Sequence, residues 1–313
     1  MDYGVHLPII SFDGQPFTLE GLLDYTEAAE RLGYKTLAVS DHLLSFHPWL
    51  DGPSALTTVL TRTKRMTLMT STALPVVRGP VPLAKTMTAI DVLSKDVLSN
   101  GRLVVGIGPG STARDYVAVG VPFEERWRRF WESVQALRTL FQGNDVPFKG
   151  KFCSTEGVSL EPLPAQRNGP PIWIGVWVSE VGLKQLTRYG DGWLASAIHG
   201  TPELFKKSWK WLQENLSQAG KDPLRFPNAV STMYFYVTED PSKKDRVLRG
   251  LLKHFVPPDS DLPKHLPVGP VRHCAEVLVA YKEAGVQRVL LWPVADEIDQ
   301  LTVFQEQVAP LMR

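Results

Sequence analysis

The hydrophobic positions along the chain fall into two alternating patterns. Short apolar runs rich in β-branched residues, such as VVGI at 104–107, are typical of buried strands. Apolar residues spaced three and four apart predict amphipathic helices between those runs. The runs predict eight strands, at Tyr3–Leu7, Thr36–Ser40, Met66–Leu74, Leu103–Ile107, Ile172–Gly175, Gly192–Ala195, Ala229–Val237 and Arg288–Trp292.

The helical pattern predicts a helix after each strand, and the strict alternation indicates the fold. Eight strand–helix pairs in one chain predict an α/β fold, a closed (β/α)8 TIM barrel, because an open doubly wound sheet has fewer strands. Residues 1–313 are interpreted as a single domain, which Asp296–Leu311 closes. The predicted helices are Leu19–Leu32, Pro53–Arg62, Val81–Leu98, Phe123–Phe141, Glu180–Tyr189, Pro202–Ala219, Ser242–His254 and Val271–Ala284.

Three stretches interrupt the alternation and predict insertions at the C-terminal ends of the strands. They are Leu43–Gly52, Gly143–Gly169 and Val256–Gly269. The second insertion has the pattern of a hairpin with Gly150 near its turn. The third is rich in proline and aspartate, which predicts a surface loop.

A near-repeat interrupts the third predicted helix, where Asp91–Lys95 is followed by the similar Asp96–Asn100. Five extra residues would rotate the apolar face of a helix by about 140°. One copy is therefore expected to form a bulge or an extra turn. It precedes a strand, so we expect it on the side of the barrel opposite the chemistry, without a function.

Composition and charge narrow the class of protein. The chain has 313 residues, of which 43% are apolar and 21% charged, as in ordinary globular proteins. A net charge of +1 gives no electrostatic reason to expect a nucleic-acid or membrane partner. Cys153 and Cys274 lack metal-ligand spacing and are expected to be reduced thiols. Without a signal-peptide pattern or a long apolar stretch, we expect a cytoplasmic protein.

Three glycines mark the end of the fourth predicted strand: Gly106 lies within it, and Gly108 and Gly110 follow it. They allow either a tight turn or the close approach of the backbone to a ligand. The spacing is G-x-G-x-G with a loop behind it, whereas a dinucleotide fingerprint needs G-x-G-x-x-G and an immediate helix. The segment lies at the C-terminal end of a barrel strand, where barrel enzymes keep their sites. That position favours a ligand site of a different kind.

Other strand ends carry equally unusual residues. Asp41 and His42 follow the second strand, small hydroxyl residues and Arg78 follow the third, and Gly175 ends the fifth. Taken singly, Asp41 could cap a helix, His42 could be an ordinary loop residue, and Gly175 could be a turn or a phosphate contact. Together on one rim they indicate a ligand site.

An ordered set of motifs resembles the bacterial luciferase-like family, in particular its F420-dependent oxidoreductase branch. The resemblance runs from Gly4 to Met312 and implies a TIM barrel with insertions, often assembled as a homodimer. The motifs are AVSDHL, STALPVVRGPVPLAKTMTAIDVLS, NGRLVVGIGPGS, AVGVPFEERWRRFWESVQALRTLF, PIWIG, GDGWLAS and YKEAGVQRVLLWP.

The resemblance implies that Asp41 and His42 are catalytic and lie beside a flavin or deazaflavin ring at the barrel mouth. Asp41 would bond the ring and orient His42, and His42 would carry a proton when a hydride moves. A fixed pair that only shapes the pocket is the alternative. By the same resemblance, the Ser71–Thr72 peptide bond is expected to be cis.

The resemblance also implies a set of cofactor contacts. Val176 replaces the second glycine of a diglycine at the phosphate site, which narrows the approach of the phosphate. Ser111 stands where the family's sugar-phosphate dehydrogenases have a catalytic glutamate, and this argues against a sugar phosphate substrate. The implied cofactor-binding residues are Asp41, Ser71, Thr72, Ala73, Gly108, Gly110, Ser111, Gly175, Val176, Trp177 and Ser196.

For the substrate, the resemblance points to Phe46, Trp49, Trp193 and His199, although core packing is the better interpretation of each aromatic residue taken alone. The implied activity is an F420-dependent oxidoreductase that transfers a hydride to or from a small organic substrate. One alternative is an FMN-dependent two-component monooxygenase that receives reduced flavin from a separate reductase. A second alternative is a non-catalytic flavin-binding barrel. No metal is expected in any of these cases.

Overall fold

The computed structural model describes residues 1–95, 101–143, 146–176, 179–255 and 260–312. Its centre is a parallel sheet in which each strand pairs with the next around a ring. The strands are β1 (Asp2–His6), β2 (Thr36–Val39), β3 (Thr67–Thr70), β4 (Leu103–Ile107), β5 (Ile172–Gly175), β6 (Gly192–Ser196), β7 (Asn228–Val237), β8 (Val268–Gly269) and β9 (Arg288–Pro293).

Three pairings close the ring of eight strands. β6 pairs with β7, β7 with β9, and β9 with β1, all parallel. The short β8 pairs with the C-terminal end of β7. The ring order is β1–β2–β3–β4–β5–β6–β7–β9, so that β4 and β9 lie on opposite sides. The predicted TIM barrel is confirmed.

Helices surround the barrel. They are α1 (Leu19–Arg31), α2 (Gly52–Thr58), α3 (Pro75–Arg78), α4 (Pro80–Ser94), α5 (Ala113–Ala118), α6 (Arg126–Gln142), α7 (Glu180–Tyr189), α8 (Pro202–Gln218), α9 (Pro241–Asp245), α10 (Val271–Glu283) and α11 (Glu297–Val303). Short 3₁₀ or π turns occupy Leu60–Arg62, Phe123–Glu125, Arg246–Leu251, Leu262–His265, Phe304–Val308 and Ala309–Met312. No helix within the described ranges combines the length and apolarity needed to cross a lipid bilayer.

Several predicted boundaries need correction. The third strand ends at Thr70 rather than Leu74, because Pro75 starts α3 and the Leu74 N–H donates to Asp41 Oδ2 at 3.2 Å. Helix α5 was expected to be a loop. The third insertion was also expected to be a loop, but Val268–Gly269 pairs with β7.

The predicted hairpin in the second insertion is confirmed, but the predicted position of that insertion is wrong. It follows α6 and leads into β5, so it lies at the N-terminal ends of the strands, where Gln166 Nε2 donates to the Leu103 carbonyl at 2.8 Å. The Gly150 N–H donates to the Cys153 carbonyl at 3.0 Å, next to an antiparallel bridge between Lys149 and Ser154. The second copy of the near-repeat, Asp96–Asn100, lies outside the described residues. The prediction of a bulge or extra turn there therefore stays a prediction.

His6 is a histidine packed inside the barrel, directly below its mouth. It pairs in register with Ala38, a member of the interior apolar cluster, and its side chain has no solvent exposure. Its ring stacks on Trp292 with centroids 4.0 Å apart and planes 4° from parallel. Burial lowers the pKa of His6 to about 3. The residue is therefore neutral in the folded protein near neutral pH.

We expect His6 to make folding stability depend on pH. The unfolded chain binds a proton below a pKa of about 6.5, and the folded chain does so only near pH 3. The contribution of His6 to the free energy of unfolding is therefore fully present above pH 6.5, and it decreases as the pH falls from 6.5 towards 3. Its contribution to the free energy of unfolding should drop by about 2 kcal/mol between pH 7 and pH 5.

Urea unfolding of the wild type and His6→Phe at pH 8, 7 and 5 measures this contribution. The difference in unfolding free energy between the two proteins should be constant from pH 8 to pH 7. It should shift by about 2 kcal/mol in favour of the variant by pH 5. Parallel pH profiles for the two proteins would contradict a buried neutral His6.

Candidate active site

A cavity of about 910 Å³, including its open mouth, lies at the C-terminal ends of the strands. Residues that follow six of the strands contribute to its wall. The predicted site residues that line it are His42, Trp49, Ser71, Thr72, Gly108, Gly110, Ser111, Gly175, Val176, Ser196 and His199.

His42 is held at the cavity wall by Asp115. The Nδ1 atom of His42 lies 2.6 Å from Asp115 Oδ2, and the Asp115 side chain is only 1% exposed. The other carboxylate oxygen accepts the backbone N–H groups of Leu43 at 3.0 Å and Leu44 at 2.8 Å. Because the carboxylate accepts the Nδ1 proton, Nε2 is left to accept or donate a proton in the cavity.

The prediction that Asp41 orients His42 is wrong. Asp41 is 2% exposed and accepts two hydrogen bonds from Arg78, from Nε at 2.7 Å and from Nη2 at 2.6 Å. Arg78 also binds Asp51. Asp41 therefore contacts α3 through Arg78, while His42 lines the cavity. The Asp41 carboxylate is not part of the cavity wall, which leaves its implied cofactor contact without support.

The Ser71–Thr72 peptide bond is cis, as predicted. Thr72 fits between two of the strand-end glycines. A Cβ atom at Gly108 would lie 2.7 Å from Thr72 Oγ1, and one at Gly175 would lie 2.8 Å from Thr72 Cγ2. These two glycines therefore make room for a neighbouring side chain. Ser71 Oγ is buried and finds no hydrogen-bond partner among the described residues.

Three other predicted residues, Ala73, Phe46 and Trp193, are not part of the cavity wall. Ala73 is fully buried behind Gly108, bonded to it through the backbone at 3.0 Å. Phe46 is 65% exposed and stacks on His254, away from the cavity wall. Trp177 lies outside the described residues.

Trp193 was expected to line the substrate site, and this is wrong. It is fully buried and stacks on Phe205 of α8 with centroids 4.8 Å apart, and its Nε1–H donates to the Val176 carbonyl at 3.3 Å. Side chains alternate along a strand, so Trp193 faces the helices while its neighbour Leu194 faces the barrel interior.

Several residues of the site were not predicted from the sequence. Asp115 carried no signal, because it lies 73 residues from His42 and in a segment expected to be a loop. Arg126 and Trp127 begin α6 within an arginine-rich run, and nothing in that run distinguishes the arginine that faces the cavity. The remaining missed wall residues are Ser40, Pro109, Leu194, Ile198, Ser231, Thr232, Tyr234, Phe255 and Trp292.

The cavity has two unlike sides. We call the wall formed by Ser71, Thr72, Gly108, Gly110 and Gly175 the glycine side. The wall formed by Trp49, Tyr234, Phe255 and Trp292 is the aromatic side. The first comes from the ends of β3, β4 and β5, and the second from β7, β9 and the loops after β2 and α9.

Comparisons with known proteins agree with this architecture. A family model described as luciferase-like monooxygenase matches residues 1–262. The F420-dependent glucose-6-phosphate dehydrogenase of Mycolicibacterium gilvum is 32% identical over 238 residues, covering 72% of this chain and 67% of that protein. The enzyme of the same name from Rhodococcus erythropolis is 25% identical over 326 residues, covering 93% of each.

Solved structures share the fold over the full length. A monooxygenase from Streptomyces bottropensis superposes with a TM-score of 0.83 at 22% identity, covering 99% of each chain. An F420-dependent secondary alcohol dehydrogenase, solved with an F420-acetone adduct, has a TM-score of 0.80 at 20% identity, covering 100% of this chain and 99% of the other. At these identities the likeness establishes the fold alone.

Proposed function

Because the chain belongs to the luciferase-like monooxygenase family, we propose that it is an F420-dependent oxidoreductase acting on a small organic substrate. The curated relatives at 25% and 32% identity, both named as F420-dependent dehydrogenases, support this choice of cofactor. The observation that carries the proposal is the His42–Asp115 pair, fixed at 2.6 Å on the wall of the strand-end cavity.

The glycine side has the features that a deazaflavin ring and its tail require. Ser71 Oγ is a buried hydroxyl without a described partner, so a polar edge of the ring would satisfy it. Arg126 lines the same cavity, and its guanidinium suits an anionic tail. The cavity wall beside them is formed by the turn at Gly110 and Ser111 and by the strand end at Gly175. When bound, F420 supplies two-electron hydride chemistry at the barrel mouth.

The chain's own contribution to the reaction is proton transfer and positioning. Asp115 accepts a hydrogen bond from His42 Nδ1, so the proton on Nδ1 stays in place. Nε2 is then left to take up or release the proton of the substrate. When Nε2 becomes protonated, the buried Asp115 carboxylate stabilises the positive imidazolium. The two backbone N–H groups on Asp115 hold that carboxylate in place through the change.

Cofactor titration tests the proposal. Quenching of cofactor fluorescence should show F420 binding with a Kd on the order of 1 µM, which corresponds to about 8 kcal/mol. FMN should bind much more weakly. Tight binding of FMN without binding of F420 would favour the two-component monooxygenase instead. Binding of neither cofactor would favour a non-catalytic barrel.

A pair of arginine variants gives this titration a matched control. Arg126→Gln should raise the Kd for F420 about tenfold, because a charge-assisted contact to the tail is lost. Arg128→Gln changes an arginine on the same helix that is 64% exposed and pairs with Glu125 at 3.3 Å. It should leave the Kd unchanged. Equal effects of the two variants would contradict the assignment of Arg126.

A further inference from the structure

The aromatic side of the cavity is a wall of rings set at different angles. The Trp49 and Trp292 ring centroids are 6.0 Å apart at 88°, and those of Tyr234 and Trp292 are 5.7 Å apart at 44°. Phe255 extends the wall, 5.4 Å from Tyr234. Such a surface favours a flat or ring-shaped apolar group, because ring faces and edges can contact it at once.

This wall carries no charge that would hold an anion. Among the described residues that line the cavity, Arg126 is the single lysine or arginine, and it follows β4 across the barrel from Trp292 on β9. Lys253 lies nearby but is exposed and is not part of the wall. Burial raises the pKa of the Tyr234 hydroxyl well above its ordinary value, so that side chain stays neutral.

Two hydrogen-bond donors on this side lack acceptors. The Nε1 atoms of Trp49 and Trp292 are buried and have no partner among the described residues. A buried donor left unpaired costs about 1–3 kcal/mol, which an oxygen atom of a ligand would offset. The Trp49 ring is also 4.8 Å from the His42 ring, between centroids. An oxygen bound near Trp49 would therefore lie close to the proton-transferring imidazole.

We propose that the aromatic side binds an uncharged substrate with an apolar ring body and one alcohol or ketone oxygen, rather than a sugar phosphate. This rests on the proposed function, because it assigns the substrate of the same site. Oxidation of such an alcohol to the ketone breaks its C–H and O–H bonds. With oxidised F420 bound, the cofactor would supply the acceptor for the hydride and its two electrons, and His42 Nε2 would take the proton.

Binding of two probes to the F420-loaded protein tests the proposal. Saturation-transfer NMR should detect 1-tetralone, an uncharged bicyclic ketone, and should detect no glucose 6-phosphate. Trp49→Ala should raise the Kd for 1-tetralone about tenfold, since a half-buried aromatic contact is lost. Trp292→Phe keeps a ring and removes the N–H, and should raise the Kd about three- to tenfold.

Trp211→Ala, on the outer helix α8, is the control and should leave the Kd for 1-tetralone unchanged. Thermal melting checks that each variant is folded. If F420 binds but glucose 6-phosphate binds in place of 1-tetralone, the substrate assignment is overturned and the proposed function stands. Binding of 1-tetralone that neither tryptophan variant weakens would also overturn it. If F420 itself does not bind, the proposed function fails first.

Discussion

Replacing His42 with alanine should lower turnover about 100- to 10,000-fold, the usual range for losing a general acid–base group. The Kd for F420 should change little, because His42 is assigned to proton transfer. Asp115→Asn should lower turnover less, since the imidazole remains but loses the buried carboxylate that fixes its Nδ1 proton at 2.6 Å. Steady-state kinetics with cofactor titrations measure both effects.

Added imidazole separates the roles of the two residues. It should restore part of the activity of His42→Ala, because a free imidazole can occupy the space left by the side chain and transfer the proton. It should not restore activity to Asp115→Asn, because the His42 ring of that variant still fills the space. His273→Ala, on α10 outside the cavity wall, is a matched control and should keep full turnover. If His42→Ala turned over substrate at the normal rate, the assignment of His42 would be wrong.

Removing the Asp41 carboxylate should lower the free energy of unfolding by about 3–5 kcal/mol, because the largely buried Arg78 guanidinium then loses one of its anionic partners. Arg78 is 19% exposed and makes two bonds to Asp41. The measurement is the free energy of unfolding in urea for Asp41→Ala. The double variant Asp41→Leu with Arg78→Met should recover part of the loss, since it buries no unpaired charge.

Asp51→Ala provides the comparison for this pair. Asp51 is 41% exposed, binds Arg78 from the outer side and accepts the Ser54 N–H at the start of α2. Its loss should cost about 1 kcal/mol, the typical value for a helix cap combined with a solvent-screened ion pair. If Asp41→Ala cost no more than Asp51→Ala, the Asp41–Arg78 pair would not be the stronger of the two ion pairs.

Much of the barrel could be predicted because each strand and helix is determined by residues close together in the sequence. The strand at Leu103–Ile107 and the helix at Glu180–Tyr189 have the predicted bounds, since apolar spacing and turn residues determine them. The cavity could also be placed, because the C-terminal strand ends of a barrel meet on one face. His42 was placed on that face by the same argument.

The partners within the site could not be predicted in the same way. Asp41 is next to His42 in sequence, but the carboxylate that bonds the imidazole belongs to Asp115. Trp193 and Trp292 both lie in apolar strand runs, and only the register of each strand decides which tryptophan faces the cavity. Neither the partner of His42 nor the direction of a tryptophan side chain follows from sequence position or hydrophobicity, because contacts between distant segments determine both.

The placement of Thr72 between Gly108 and Gly175 links the ends of three strands sterically. A methyl group at either glycine would push against the threonine, so the three positions are expected to change together during divergence. A larger residue at 108 or 175 would call for a smaller one at 72. The aromatic side is built from other segments and is free of this constraint. Substrate preference can therefore diverge while the glycine side is preserved.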